Sequence, residues 1–556
     1  MVEKKFNKID VIVLTLLFLT AFYIWTAPLK DNQLPYGEAD ESYHFMVGDY
    51  QGQNDEVIRN KLPEYIGYRY YDKSALGPFT PMMLPPSHLN LGIIQIIGGD
   101  RIVPVFIYEA IVSFMAMFAV YFITRKLFGT IVAAAASFGM IFSFRSYMTY
   151  LWGQWPSLTS ITIIPITIYV FYKYLVGYFN GEKDNKLLIV LLLLALSQYV
   201  LHLQGFIMSA LVILVMLIVF SIKYKKIPLG KKNIKWVVIV GGVFLVVFFL
   251  TYQVYFAHSS YAQVSTGNVL NFERIFSWYF DPGEAEGYSP DFKSFNGEYG
   301  QLLLIPFVLG LIYLWLNRKN DKYLLLVSWL IGIYIALHLD VFLGSPLSRV
   351  VRFYIAESQL FFILIILGVM SIPVYFKLNK SVKDLLKLGL IVLLMIFMAF
   401  SIGDKAQDNL SKSYEGLARI TPQQYELSEW IKEESPEDSV FYIIGTLTYP
   451  KERFIHALSM RPMFMGKGSL KDGMDSINGR IDEVNDAMNL DYPYLVPTHI
   501  IFDYSDLAYL ANNENYMNQI NALKGYEQYI TEGTEVVYEK DNIRVYKLKE
   551  GVYSYE

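Results

Sequence analysis

The chain has 556 residues and no cysteine. That excludes disulfides, thiolate metal sites and a cysteine nucleophile, and leaves the compartment open, because a large exported domain folds without disulfides. Charge is scarce as well. Asp, Glu, Lys and Arg make up 18% of the residues, where a soluble protein carries about a quarter. Neither sign dominates: 47 basic side chains face 51 acidic ones, for a net charge of −4. Such a balance gives no argument for a nucleic-acid partner. Repeats of fixed period and low-complexity segments are missing too.

What fills the space is apolar. Hydrophobic residues are 54% of the chain and aromatics 16%, and they are unevenly spread. Long apolar runs crowd residues 1–400, while 403–556 has the composition of an ordinary globular domain. The division expected is a membrane body over 1–402 and a soluble C-terminal α/β domain over 403–556, long enough for a core of its own. The stretches apolar enough to span are 9–28, 104–124, 128–145, 158–175, 187–202, 205–222, 236–257, 301–317, 323–339, 353–375 and 386–402, about eleven helices in all. Lys4, Lys5 and Lys8 precede the first run, and no small-x-small cleavage site follows it, so it reads as an uncleaved signal anchor.

Loop charges give the spans a direction. With the N-terminus inside, the inner connections hold Arg125, Lys126, Lys183, Lys186, Lys223, Lys225, Lys226, Arg318, Lys319, Lys322, Lys377 and Lys380 among others. The short outer connections hold only Arg145, Arg349 and Arg352. This is the positive-inside asymmetry, and an odd number of spans puts the C-terminal domain outside. Two outer loops are long, 29–103 and 258–300, and loops of that length carry function or small subdomains. Short surface helices are expected at Asp40–Tyr50 and Ser87–Ile97. In the C-terminal domain, Thr421-Pro422 opens a helix to about Glu434. Strands are expected at Ser439–Ile444 and His499–Asp503, helices near 451–459, 479–488 and 505–524, and a closing hairpin at Val536–Glu539 and Ile543–Leu548.

Three groups of residues could carry chemistry. Glu38, Asp40 and Glu41, with Tyr43 and His44 beside them, place three carboxylates within four positions just beyond the first span. Such a cluster supplies a general base or metal ligands, or is simply a solvated loop. Arg349 and Arg352 share one helix face at the outer end of the span 353–375. They form a fork for a phosphate, or else snorkel to the interface, although anchoring arginines belong on the cytoplasmic side. The third group is scattered: Arg145 and Trp152-Gly153-Gln154-Trp155-Pro156 in the second outer loop, His202 and Gln204 at an outer hairpin, Asp281, Glu284 and Glu286 in the long loop, and His338 and Asp340 ending a span. Their bland readings are interface-belt aromatics and solvated helix ends. Asn409-Leu410-Ser411 matches a glycosylation acceptor, a three-residue match that chance supplies readily.

The acidic loop beyond the first span, Asp40-Glu41-Ser42-Tyr43, resembles that of the GT-C superfamily of membrane glycosyltransferases. These take sugars from polyprenyl-linked donors and include protein O-mannosyltransferases, lipid A aminoarabinose transferases and oligosaccharyltransferase catalytic subunits. Arg101-Ile102-Val103-Pro104, leading into a helix that ends Arg125-Lys126-Leu127-Phe128-Gly129, is similar to that family's second span. An outward arginine opening a late span, here Arg349 or Arg352, is a further shared feature. The likeness covers residues 1 to about 375. The Trp-Trp-Asp-Tyr-Gly motif of oligosaccharyltransferases is missing, as is their second acidic pair, for which Trp152 to Trp155 offers no carboxylate.

The resemblance implies a polytopic helical GT-C body and a glycosyltransferase on the non-cytoplasmic face of a membrane, such as a prokaryotic plasma membrane. It implies a polyprenyl-phosphate-linked sugar as donor, a glycan, lipid or protein as acceptor, membrane lipid around the body, and no nucleic acid. An acceptor hydroxyl attacking the anomeric carbon needs a base and positive charge at the leaving phosphate. Asp40 would be the base, with Glu38 or Glu41 supporting it or helping to hold a divalent cation, Mg or Mn. Arg349 and Arg352 would bind the phosphate. Tyr43, His44, Trp152, Gln154, His202 and Asp281 are weaker candidates for sugar or acceptor contacts. One displacement inverts the anomeric centre. A transporter or flippase for a lipid-linked or anionic substrate, an oligosaccharyltransferase-like enzyme, and a non-catalytic scaffold are the competing readings.

Overall fold

A computed structural model describes residues 6–37, 40–53, 86–182, 184–228, 235, 238–239, 241–247, 292, 294–339, 353–377, 379–403, 419–444, 449–464, 497–506, 514–530 and 534–548. Helices fill ten of the eleven apolar stretches: α1 Lys8–Trp25, α4 Val103–Phe114 with α5 Ala116–Leu127, α6 Thr130–Ile141 with α7 Phe144–Leu151, α8 Trp155–Thr162 with α9 Ile164–Phe179, α10 Lys186–Leu201, α11 Leu203–Tyr224, α12 Leu304–Leu316, α13 Asp321–Leu337, α14 Tyr354–Ser371 and α15 Lys380–Phe397. Most of the eleventh stretch, 236–257, lies outside the described residues. Six of these helices or continuous pairs are long and apolar enough to cross a membrane, and the bent pair α6–α7 makes a seventh. The protein is an integral membrane protein. α10 has 16 residues, about 24 Å at 1.5 Å per residue, so it falls short of a hydrocarbon core of about 30 Å.

The stretch 128–145 was expected as one span. Instead the chain bends by 42° between α6 and α7 and continues helical to Leu151. Ser143 sits at the bend, and its Oγ accepts the Ser146 N–H at 3.2 Å, capping a fresh helix start. Burial sorts the helices as lipid-facing or central. Ile9, Val11, Ile12, Leu16 and Leu19 of α1 are exposed, as a helix on the lipid side requires. In α14 nearly every residue from Tyr354 to Val369 is buried, which is what a helix apolar on all sides demands.

One end of the bundle collects the basic residues. There the buried Asp10 of α1 accepts two bonds from Arg125 of α5, at 2.6 and 2.9 Å, and Tyr121 and Thr130 also donate to it. At the same end Lys223 bonds Asp321 at 2.6 Å. The opposite end carries two further helices in the first long loop, α2 Glu41–Gln53 and α3 Pro86–Gly98, where surface helices were expected. They run parallel: His44 meets His88, and Gly52 meets Gln95. Residues 54–85, which join them, lie outside the described residues.

The C-terminal part forms a five-stranded mixed sheet in the order β2-β1-β3-β5-β4. Its strands are β1 Phe441–Ile444, β2 Met463–Phe464, β3 His499–Asp503, β4 Glu535–Lys540 and β5 Ile543–Lys547, with helices α16 Pro422–Glu434, α17 Tyr449–Ser459 and α18 Glu514–Ile530. β1 runs parallel to β2 and β3; β5 is antiparallel to β3 and β4. The expected closing hairpin is present and turns at Asp541, whose φ of 52° is left-handed. β2 was not anticipated, being only two residues long. The helix expected over 505–524 is described from Glu514 to Ile530, and the one near 479–488 lies outside the described residues. Phe441, Ile443, Ile455, Ile501 and Val545 make a small core of their own. Phe454, Ala457 and Leu458 of α17 instead join the core of the membrane helices, so the sheet-bearing part is docked on the bundle through an apolar helix face.

Candidate active site

The acidic loop is anchored by its backbone. Asp40 precedes the first turn of α2; its carbonyl accepts the His44 N–H at 3.0 Å, and its own N–H donates to the Trp152 carbonyl at 2.9 Å. Its carboxylate is therefore carried at a helix N-terminus, where the backbone dipoles favour negative charge. Asp40 is half-buried and Glu41 fully buried. The turn that receives the loop needs Gly153: its φ is +65°, and a Cβ there would lie 1.8 Å from the Glu41 nitrogen.

Beneath the loop lies an aromatic floor centred on Phe106 of α4. Its ring is 4.5 Å from Tyr36, 5.8 Å from Trp155 and 6.2 Å from Phe45. Tyr36 and Tyr150 share a hydrogen bond of 2.6 Å between hydroxyls. The Trp155 Nε1–H donates to the Tyr150 carbonyl at 3.0 Å. Next to this floor, His44 Nδ1 and His88 Nε2 are 2.8 Å apart and both rings are buried. Burial, then the neighbouring His44, holds His88 well below the usual histidine range, so the His88 ring is neutral at neutral pH. Tyr43 stands edge-on to both imidazoles.

The hairpin between α10 and α11 is bound to α8. Ser157 Oγ donates to Gln204 Oε1 at 2.6 Å, and Ser160 Oγ donates to the His202 carbonyl at 2.8 Å. His202 caps α11, its Nδ1 accepting the Gln204 N–H at 3.3 Å. Gln154, Trp155 and Gln204 are all buried. The solvated-end and interface-belt readings are thereby overturned for these three, because apolar helices on each side exclude both water and lipid headgroups.

A second buried polar cluster adjoins the first. Arg145, at the start of α7, is fully buried. Its Nε donates to the Phe292 carbonyl at 2.8 Å and its Nη1 to Glu357 Oε1 at 2.8 Å, and its guanidinium lies 4.7 Å over the Tyr354 ring. Glu298 accepts from the Arg145 N–H at 2.8 Å and from Ser143 Oγ at 2.7 Å. Phe292 in turn lies 5.1 Å from the Trp152 ring. The bend between α6 and α7, the short helix Phe295–Tyr299 and the start of α14 thus meet at one guanidinium.

Of the residues singled out in the sequence, Asp40, Glu41, Tyr43, His44, Trp152 and Gln154 come together here, with His202 one hairpin away. Glu38, Asp281, Arg349 and Arg352 lie outside the described residues. Among the described residues no group of three or more His, Asp or Glu could hold a metal ion, so the donor set on view does not make a cation site. Arg145 stands only among the scattered residues, Arg101 only in the second-span resemblance, and Glu298, Glu357 and His88 were not singled out. The available signal was Glu357, an ionisable residue inside an apolar run, which calls for a buried partner.

The sequence signature of a family of unknown function, DUF6541, matches residues 105–369. No curated protein matches the chain in sequence. Solved structures that share its architecture include the following two. The archaeal oligosaccharyltransferase AglB from Archaeoglobus fulgidus, in complex with an inhibitory peptide and a dolichol-phosphate, is 13% identical with a TM-score of 0.50, over 89% of this chain and 69% of that one. ArnT from Cupriavidus metallidurans in the apo state is 11% identical with a TM-score of 0.50, over 97% of this chain and 98% of that one. At that identity the likeness establishes the fold alone: a polytopic helical membrane bundle followed by a C-terminal α/β part, as in those two proteins.

Proposed function

We propose that this protein is a membrane glycosyltransferase that moves a sugar from a polyprenyl-phosphate-linked donor to an acceptor hydroxyl, with inversion, on the non-cytoplasmic face. The observation that carries this reading is the half-buried Asp40, whose backbone N–H is bonded to the Trp152 carbonyl above an aromatic floor, at one end of a bundle that shares its fold with ArnT. The archaeal oligosaccharyltransferase of the same fold was solved with a dolichol-phosphate, a ligand of the donor class proposed here.

In the reaction the acceptor O–H proton passes to the Asp40 carboxylate as the acceptor oxygen attacks the anomeric carbon. The bond from that carbon to the donor phosphate oxygen breaks, and its electron pair leaves with the phosphate. Positive charge is needed where that negative charge grows, and Arg349 and Arg352 are the residues we assign to it. Glu41, fully buried behind Asp40, shapes the local field without reaching the acceptor, and Glu38 completes the acidic loop. Tyr43, His44, Trp152 and Gln154 supply the polar and aromatic surroundings of the sugar, with His202 and Asp281 as weaker candidates for contacts to it. The division into a body over 1–402, with outer loops 29–103 and 258–300, and a domain over 403–556 belongs to this reading.

Sidedness follows from the charges. Arg125, Lys126, Lys223, Arg318 and Lys322 gather at the end opposite Asp40, and the positive-inside rule makes that end cytoplasmic. In a prokaryote the membrane would be the plasma membrane. The polar groups of the candidate site gather at one end of the bundle, as interfacial chemistry requires and as a conduit through the bilayer does not.

The test is incubation of purified protein with a panel of radiolabelled polyprenyl-phosphate sugars, with and without EDTA. Turnover of at least one donor is expected, and Asp40→Asn should lower it about 10²- to 10⁴-fold. An Asp40→Asn protein that works at the wild-type rate removes the assignment. Unchanged donor affinity in Arg349→Ala and Arg352→Ala removes the phosphate role. Loss of turnover in EDTA alone would bring Glu38 and a Mg or Mn ion into the site.

A further inference from the structure

The stretch around the candidate base meets the membrane helices at Trp152 and Tyr150. The C-terminal part grips it on both sides. Ahead of Asp40, the Ile420 N–H donates to the Pro35 carbonyl at 3.3 Å, and Arg419 forms an antiparallel bridge with Tyr36. The Arg419 guanidinium donates to the Pro28 carbonyl and lies 5.8 Å from the Tyr36 ring. Beyond Asp40, the Phe454 ring of α17 is 6.0 Å from Phe45 of α2 and 6.4 Å from Phe106. Arg101 binds Asp49 of α2 with bonds of 3.0 and 2.6 Å and donates to the Leu458 carbonyl of α17 at 3.3 Å; it also lies 3.5 Å from Glu429 of α16.

Both grips belong to one rigid unit. Thr421 caps α16, Gln424 of α16 donates to Asp503 at the end of β3 at 2.6 Å, and Lys451 of α17 bonds Asp506 at 2.6 Å. Residues 419–421, α16 and α17 are therefore tied to the same strand end.

We propose that the C-terminal part is the positioning element of the site: it clamps residues 35–49 at both ends and thereby fixes Asp40 against Trp152. This rests on the reading of Asp40 as the base. A base must sit within a fraction of an ångström of its productive place, and an error of about 1 Å costs about 100-fold in rate. Arg419 is a positioning residue in this scheme, acting through Tyr36 and Pro28 on the loop that follows.

The experiment uses the full-length protein in detergent. Amide hydrogen exchange across residues 36–45 and the kinetics of sugar transfer are measured for wild type, Arg419→Ala and Arg419→Lys. In Arg419→Ala we expect exchange over 36–45 to rise at least tenfold while β3 is unchanged. We expect kcat to fall at least tenfold with the donor KM within twofold. Arg419→Lys, which keeps a cationic donor for Pro28, should bring both to within threefold of wild type. Unchanged exchange over 36–45, or an effect on KM alone, overturns the proposal. If the wild-type protein transfers no sugar from any donor, the proposed activity fails while the exchange measurement still decides the clamp. Phe454→Leu, which loosens the second grip, is read in the same way should Arg419→Ala fail to fold.

Discussion

Gly153 has no room for a methyl group, since its Cβ would meet the Glu41 nitrogen at 1.8 Å and its φ is positive. Gly153→Ala must push the acidic loop away from the Trp152 carbonyl. We expect a loss of about 1–3 kcal/mol of stability, from strain of this kind, and at least a tenfold fall in turnover, checked by thermal unfolding and by the transfer assay. β3 offers a second test, on pH. Burial and then the nearby Asp506 push the Asp503 carboxyl up to about 6. Its folded form therefore holds a proton that the unfolded chain releases, and stability falls as pH rises from about 4 to 6. Burial and then Lys547 push His499 down to about 4, which has the opposite effect: stability rises as pH rises from about 4 to 6.5. The two slopes oppose each other in the wild type. Relative to it, Asp503→Asn should show stability rising over this window and His499→Gln stability falling, as read from the midpoint of thermal unfolding between pH 4 and 7. Parallel shifts in both variants would contradict the assignment.

Between elements, the buried pair of Asp10 and Arg125 holds α1 against α5, with Tyr121 and Thr130 bonded to the same carboxylate. Removing one partner leaves a buried charge without its counterion, which costs about 3–5 kcal/mol. Asp10→Ala and Arg125→Met should each lower stability by that order. The double variant Asp10→Leu/Arg125→Met should recover most of the loss, because two apolar side chains leave nothing to solvate. A double variant as unstable as the sum of the singles would show that the pair is not coupled. The start of α1 was legible in part: Lys4, Lys5 and Lys8 marked its end, while Asn7 and Asp10 form a reciprocal cap. That Asp10 also reaches Arg125, far along the chain, could not be seen locally. The bend between α6 and α7 was likewise hidden, since the run from Ile131 to Phe142 is apolar enough to read as part of one continuous span.

At the scale of the whole molecule, the basic end of the bundle and the sheet-bearing part lie on opposite sides. The absence of cysteine makes their sidedness easy to check. A single Lys319→Cys should be shielded in intact cells from a membrane-impermeant maleimide, while a single Lys524→Cys is labelled; both positions are exposed. The reverse pattern would place the site in the cytoplasm and remove the proposed donor face. The same arrangement explains why the C-terminal part had no readable role in isolation. Its strands at 441–444, 499–503 and 543–547 could be placed from apolar runs and turn residues, but α17 gives away its task only through Phe454 and Leu458 packing into the membrane core.

The sequence by itself determined the membrane body, the helical stretches within it and the C-terminal α/β part. It also made the loop around Asp40 the leading candidate for chemistry. Those features are written in local composition, because burial in lipid demands long apolar runs and leaves charge for the ends. Only the tertiary structure decided that the acidic loop closes on the Trp152–Gln154 turn, that Arg145 gathers Glu298 and Glu357, and that Arg419 and Arg101 bind the C-terminal part to both sides of Asp40. Each of these joins residues about a hundred or more positions apart. No periodicity or local spacing encodes such a contact; it exists only once the helices have packed.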